Sequence, residues 1–145
     1  MRGNELFKKN DFASAEEMYS LALGIIEQLI LREKPKDEEW NALTKVKIPL
    51  LLNYAQCKLL EKDFYRAIEC CTEVLVSEPN NLKALYRRAK GHVGAWNPQK
   101  AEEDFNLCAT LDPSLKPTID KEIIALKLKI KSIDDQDKSN FKKMF

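Results

Sequence analysis

The chain has 145 residues, with 24 basic and 23 acidic side chains and a net charge of +1. That length suits one domain, and so even a balance gives no global field for a nucleic-acid backbone, so any electrostatic role must come from local clustering. Gly and Pro are few, 4 and 6, which favours long helices over tight turns, and no apolar run approaches the ~18 residues of a membrane span.

The predicted elements follow an internal repeat. Ala67 and Ala101 lie 34 residues apart, and Ala55 with Ala89 and Pro79 with Pro113 share that offset. This is the period of a tetratricopeptide (TPR) helix-turn-helix unit. The first repeat, about 1–34, carries Asp11-Phe12-Ala13-Ser14-Ala15, which matches Asp63-Phe64-Tyr65-Arg66-Ala67 of the second. From Ala15 to Ala67 is 52 residues, 18 beyond the period. The surplus falls between Leu23 and Ile48 and predicts two lengthened helices joined by a short loop. Lys34-Pro35 breaks the first, and Asp37 is an N-cap for the next.

The second repeat, 37–81, holds Pro49 within helical pattern, which is expected to bend that helix. The third, 82–113, has Trp96 at a turn where repeats often place Gly, and a packing role is expected for it. Asn97 then reads as an N-cap with Pro98 at the first helical position. In each hairpin a small residue on the first helix (Gly3, Ala55, Ala89) meets one on the second (Ala15, Ala67, Ala101), where bulk would push the helices apart. From 114 to 145 the pattern changes. Ile119, Ile123, Leu126, Ile130 and Ile133 form one helical stripe that opens near Pro117 and caps the third repeat. The predicted fold is all-α: three TPR repeats in a right-handed superhelix plus a long C-terminal capping and extension helix.

The first helix of every TPR repeat lines a concave groove. With Gly3, Ala55 and Ala89 at equivalent positions, one helical face offers Asn4 and Lys8 in the first repeat. It offers Pro49, Asn53, Gln56 and Leu60 in the second, and Lys83, Arg87, Lys90 and Gly94 in the third. That face holds four cations and three amides, and no acid. Lys83 and Arg87 are four apart on one helix, a mildly repulsive pair that makes sense if an anion sits between them. The amides add neutral donors for a carboxylate or an extended peptide backbone. No aromatic platform interrupts this face, so nucleic acid is not an expected partner.

These residues resemble the two-carboxylate clamp of co-chaperone TPR domains. Asn4, Asn53, Lys83 and Arg87 match four of its five residues; the fifth, a Lys, would precede Met1. The resemblance implies that Asn4 and Asn53 bond the terminal carboxylate of a Glu-Glu-Val-Asp tail, and that Lys83 and Arg87 bind the carboxyl groups of its acids. The tail would be that of the ninety-kilodalton, or the seventy-kilodalton, heat-shock chaperone. The stretch Ile48 to Leu59, Trp96-Asn97 with Ala101 to Phe105, Leu111-Asp112-Pro113 and the ending Phe141 to Phe145 are similar to the aryl-hydrocarbon-receptor-interacting family of immunophilin-like co-chaperones. A related photoreceptor chaperone is the alternative. That resemblance implies a prolyl-isomerase-like domain ahead of this segment, a cytoplasmic setting, and a client such as a ligand-activated receptor. The client would be held by Phe141, Met144 and Phe145, apolar anchors at helical spacing among lysines.

Other chemistry finds little footing. There is one His, no nucleophile–base phrase and no Gly-rich phosphate loop, so no catalytic residue and no cofactor are expected. Cys57, Cys70, Cys71 and Cys108 form no C-x-x-C pair and read as small apolar fillers, and no metal is expected. Asp134, Asp135 and Asp137 lack a calcium-loop pattern and read as a solvated helix end. The competing reading is an assembly scaffold that acts through its convex face and last helix with the groove idle.

Overall fold

A computed structural model describes residues 12–144 of the chain. Gly3, Asn4, Lys8 and Phe145 lie outside the described residues, as do the side chains of Phe141 and Met144. Among the described residues the helices are α1 (Phe12–Leu31), α2 (Glu38–Leu60), α3 (Phe64–Ser77), α4 (Leu82–Gly94), α5 (Pro98–Leu111) and α6 (Lys116–Met144). A 3-10 turn (Pro113–Leu115) sits between the last two. No strand occurs among them.

The 18-residue surplus has gone into helix. α1 and α2 run 20 and 23 residues, against 13 or 14 for α3, α4 and α5. Asp37 takes the N-cap position of α2 with extended backbone, but its side chain makes no capping bond; Glu38 and Glu39 supply the negative charge that the helix start favours. Pro49 lies within α2 without ending it. Its side is exposed, which spares the packed face the loss of one backbone donor.

The shorter helices begin on better caps. Asp63 accepts from the Arg66 N–H at 3.4 Å and Asn81 from the Ala84 N–H at 3.0 Å. Asn97 occupies the expected N-cap position ahead of Pro98, but its side chain turns to His92 Nδ1 at 3.5 Å. The turns inside the second and third hairpins are one period apart and use the same device: Lys62 and Trp96 adopt left-handed backbone, with φ of 63° and 62°. That conformation ends a helix in a single residue and ordinarily selects Gly. The expected packing role of Trp96 is not what the structure shows: its ring is exposed, and its contact is with the Lys129 ammonium of α6, 5.5 Å from the ring centre.

The helices stack in chain order around two joined cores. Tyr19, Leu23, Leu51, Ala55, Cys71 and Val74 fill the first, between α1, α2 and α3. Leu85, Ala89, Ala101, Phe105, Cys108, Ile119 and Leu126 fill the second, between α4, α5 and α6, and Leu75 packs on both. Ala15, Ala55, Ala67, Ala89 and Ala101 are all fully buried, as the repeat alignment requires. The C-terminal stripe caps the third repeat: Ile119 and Leu126 enter its core, with Ile123 and Ile130 packed against it.

Polar links tie the stack across helices. Lys47 of α2 reaches Glu27 of α1 at 3.4 Å and Glu73 of α3 at 2.6 Å, from a side chain that is itself mostly covered. Arg88 of α4 holds Asp104 of α5 through two bonds of 2.8 and 2.9 Å. Asp104 is nearly buried, so this bidentate pairing is what makes its charge tolerable.

Candidate functional site: a basic groove between the first helices

The site starts from two helix faces. On α2, Pro49, Asn53, Gln56 and Leu60 share a side; on α4, Lys83, Arg87, Lys90 and Gly94 do so. Stacking sets the faces edge to edge and opens two adjoining cavities. One, of about 630 Å³, is lined by Lys45, Ile48, Pro49, Leu52, Asn53, Glu78, Asn81, Lys83 and Arg87. The other, of about 700 Å³, is lined by Gln56, Leu59, Leu60, Phe64, Leu82, Lys83, Tyr86, Arg87 and Lys90, with Leu115 and Thr118 from the segment after the third repeat. Lys83 and Arg87 line both.

The two shared cations are held differently. Lys83 is exposed and, among the described residues, has no carboxylate partner. Arg87 is half-buried, and its Nη1 donates to the Leu52 carbonyl at 2.8 Å. It too has no acidic partner among the described residues. Burial holds the Arg87 guanidinium below its ordinary range, with Cys71 and Cys57 pulling the other way. It stays charged at neutral pH all the same. A partly desolvated guanidinium without a counter-charge gains from any anion that enters the cavity. One donor is used on Leu52, which fixes the side chain and leaves four of its five.

Three predicted groove residues have a different place in the structure. Lys90 lines the larger cavity but is not a free cation: its Nζ pairs with Glu122 of α6 at 3.0 and 3.3 Å. Gly94 stands against the Phe64 ring, where an added Cβ would collide with the ring atoms. Its role is the close approach of α4 to α3. Leu60 is exposed at the end of α2 and contributes only apolar wall. Asn53 and Gln56 are partly buried and line the smaller and the larger cavity respectively.

The first-helix face itself holds no acid, but other elements bring two to the groove. Glu78 lines the smaller cavity, where Asn81 Nδ2 donates to it at 3.5 Å. Glu122 reaches the other end of the groove. It accepts from Tyr86 Oη at 2.8 Å as well as from Lys90. Neither acid lies on a first helix of a repeat, so counting positions within repeats misses both. Lys45 was missed for a related reason. It sits one turn before Pro49 on the lengthened part of α2, ahead of the 34-residue frame, but its spacing of four to Pro49 and eight to Asn53 marks the same face.

No family model matches the chain. It is similar to aryl-hydrocarbon-interacting protein-like 1 of Mus musculus and of Bos taurus, each 30% identical over 142 residues, which is 98% of this chain. The chain spans 43% of the length of these relatives. Among solved structures, the C-terminal TPR-containing domain of a Plasmodium falciparum putative FK506-binding protein is 28% identical with a TM-score of 0.79, covering 92% of this chain and 87% of that one. The myosin chaperone UNC-45 from C. elegans, solved in complex with an Hsp90 peptide, is 28% identical with a TM-score of 0.70, covering 94% of this chain and 13% of that one. The period, the helical hairpins, the capping helix and these likenesses agree: the chain is a tetratricopeptide-repeat domain homologous to aryl-hydrocarbon-interacting protein-like 1.

Proposed function

We propose that the domain is a co-chaperone adaptor module whose groove captures the free, acidic C-terminus of a heat-shock chaperone. Lys83 and Arg87 bind the carboxyl groups, and Asn53 and Asn4 supply amide donors to the terminus. The observation that carries this reading is the pair of cations lining both cavities, neither with an acidic partner among the described residues. Two oppositely built ends support it. The smaller cavity sets Lys45, Lys83 and Arg87, with the Asn53 amide, against one acid, Glu78, and suits carboxylates; the larger, walled by Leu59, Leu60, Phe64, Leu82 and Leu115, suits apolar parts of the same peptide. The Hsp90 peptide bound by UNC-45 points to the same ligand class. A cytoplasmic setting goes with this partner, as does a client engaged through Phe141, Met144 and Phe145.

Isothermal titration with a Glu-Glu-Val-Asp peptide, as free acid and as C-terminal amide, tests the reading. The free acid binds, and amidation weakens it by about tenfold or more, the loss of one charge-assisted interaction of roughly 1.5–3 kcal/mol. Equal affinity for the two peptides would sink capture of a terminus.

A further inference from the structure

The groove has a further cation, Lys90, and the fold has already given it a partner. Its Nζ meets both carboxylate oxygens of Glu122, at 3.3 and 3.0 Å, and the same Oε1 accepts from Tyr86 Oη at 2.8 Å. Lys90 and Tyr86 both line the larger cavity. Glu122 therefore occupies two donors on the groove wall and carries a negative charge to that end. It does so from α6, which follows the repeats. A strut alone has less need of this chemistry: Ile119 and Leu126 on the same helix already bury themselves in the core. Burial first, and then the bond to Glu122, push the Tyr86 phenol up to about 12, so Tyr86 remains a donor to Glu122 throughout the physiological range.

We infer that Glu122 sets which acidic tails the groove accepts, by neutralising Lys90 so that acids are read only at the Lys83–Arg87 end. The inference rests on the clamp reading above. An acid of the peptide placed near Lys90 finds its cation taken and meets the Glu122 charge; a neutral or apolar residue there meets Leu59, Leu82 and Leu115 without penalty. The domain then distinguishes tails by where their acids stop. A short terminal acidic cluster preceded by neutral residues is preferred over an acidic run that continues upstream. From Lys83 to Lys90 is seven residues of helix, about 10 Å of rise, which an extended peptide crosses in about three residues.

The test uses the full chain and two free-acid peptides that end in the same acidic residues. Both end in Glu-Glu-Val-Asp; one carries Gln, the other Glu, at the fourth to sixth positions before the last. With the parent protein, the Gln peptide binds more tightly. In Glu122→Gln, which keeps an acceptor for Tyr86, the preference shifts toward the Glu peptide by roughly threefold to tenfold at low salt, the range of an exposed ion pair gained and a repulsion removed. In the double variant with Lys90→Met that shift disappears. A Glu122→Gln protein that folds and melts like the parent, yet keeps the parent's ratio of affinities, would overturn the inference and leave Glu122 a strut. If neither peptide binds the parent, the clamp reading falls first and this one with it.

Discussion

Lys83 and Arg87 are neighbours in function but not in what their removal does to the fold. Lys83 is exposed and makes no ion pair among the described residues. Lys83→Ala is expected to weaken an acidic tail by about tenfold or more with an unchanged melting temperature. Arg87→Ala is expected to weaken the tail similarly and also to lower stability by about 0.5–1.5 kcal/mol, because the bond to the Leu52 carbonyl goes with it. Calorimetry beside thermal melts separates the two effects, and equal melting curves for the two variants would contradict the Leu52 contact. The glycines carry a similar contrast. An Ala side chain at Gly94 runs into the Phe64 ring, whereas at Gly24 it meets nothing among the described residues. Gly94→Ala should lose about 1–3 kcal/mol to overpacking, and Gly24→Ala should gain up to ~1 kcal/mol from helix propensity; urea unfolding of both variants checks the opposite signs. His92 adds a pH dependence. Burial holds its imidazole below the ordinary 6.5, against the attraction of Asp104 and with the repulsion of Arg88 and Lys100. The unfolded chain therefore takes up the proton first. This contribution is fully present above about pH 6.5 and is lost as pH falls through the lower, folded value. Melting temperatures followed from neutral to mildly acid pH should show that decline in the parent and a shallower one in His92→Gln.

At the scale of elements, α6 does two things with two faces. The inward stripe was legible from its spacing alone, because a period of 3.6 identifies a buried face without knowledge of the partner. The Glu122 contact was not, because whether a polar residue beside that stripe meets solvent or a groove depends on the angle at which α6 crosses α4. The stripe has its last core contact at Ile130, and residues 134–138 are exposed. Deleting Asp137 to Phe145 is therefore expected to leave the melting temperature and the tail affinity nearly unchanged while weakening client binding. A large fall in melting temperature would show that this segment is structural. The lengthened α2 holds the opposite lesson. Its extra turns were read from the surplus of residues, but Lys45 on those turns fell outside the repeat frame, although helical spacing alone would have placed it with Pro49 and Asn53.

Across the whole molecule, burial makes the thiols inert. Cys57, Cys70 and Cys108 are pushed up to about 11 and Cys71 to about 12, desolvation being the largest cause in each. Thiolate is the reactive form, so alkylation near neutral pH should be slow in the folded protein and should rise together for all four upon unfolding. A cysteine that reacts alone in native buffer would reveal local opening of its helix pair. Sequence by itself determined the helical hairpins, their period, the long first connection, the capping stripe and the basic side of α4, because each follows from local spacing and from which residues must be hidden from water. Tertiary structure alone decided which charges remain free. Lys83 and Lys90 have the same side-chain chemistry and share a helix face seven residues apart. Only the docking of α6 brings a carboxylate within 3.0 Å of the second and leaves the first without an acidic partner among the described residues, because a counter-charge 32 residues away in the chain is set by packing and not by periodicity.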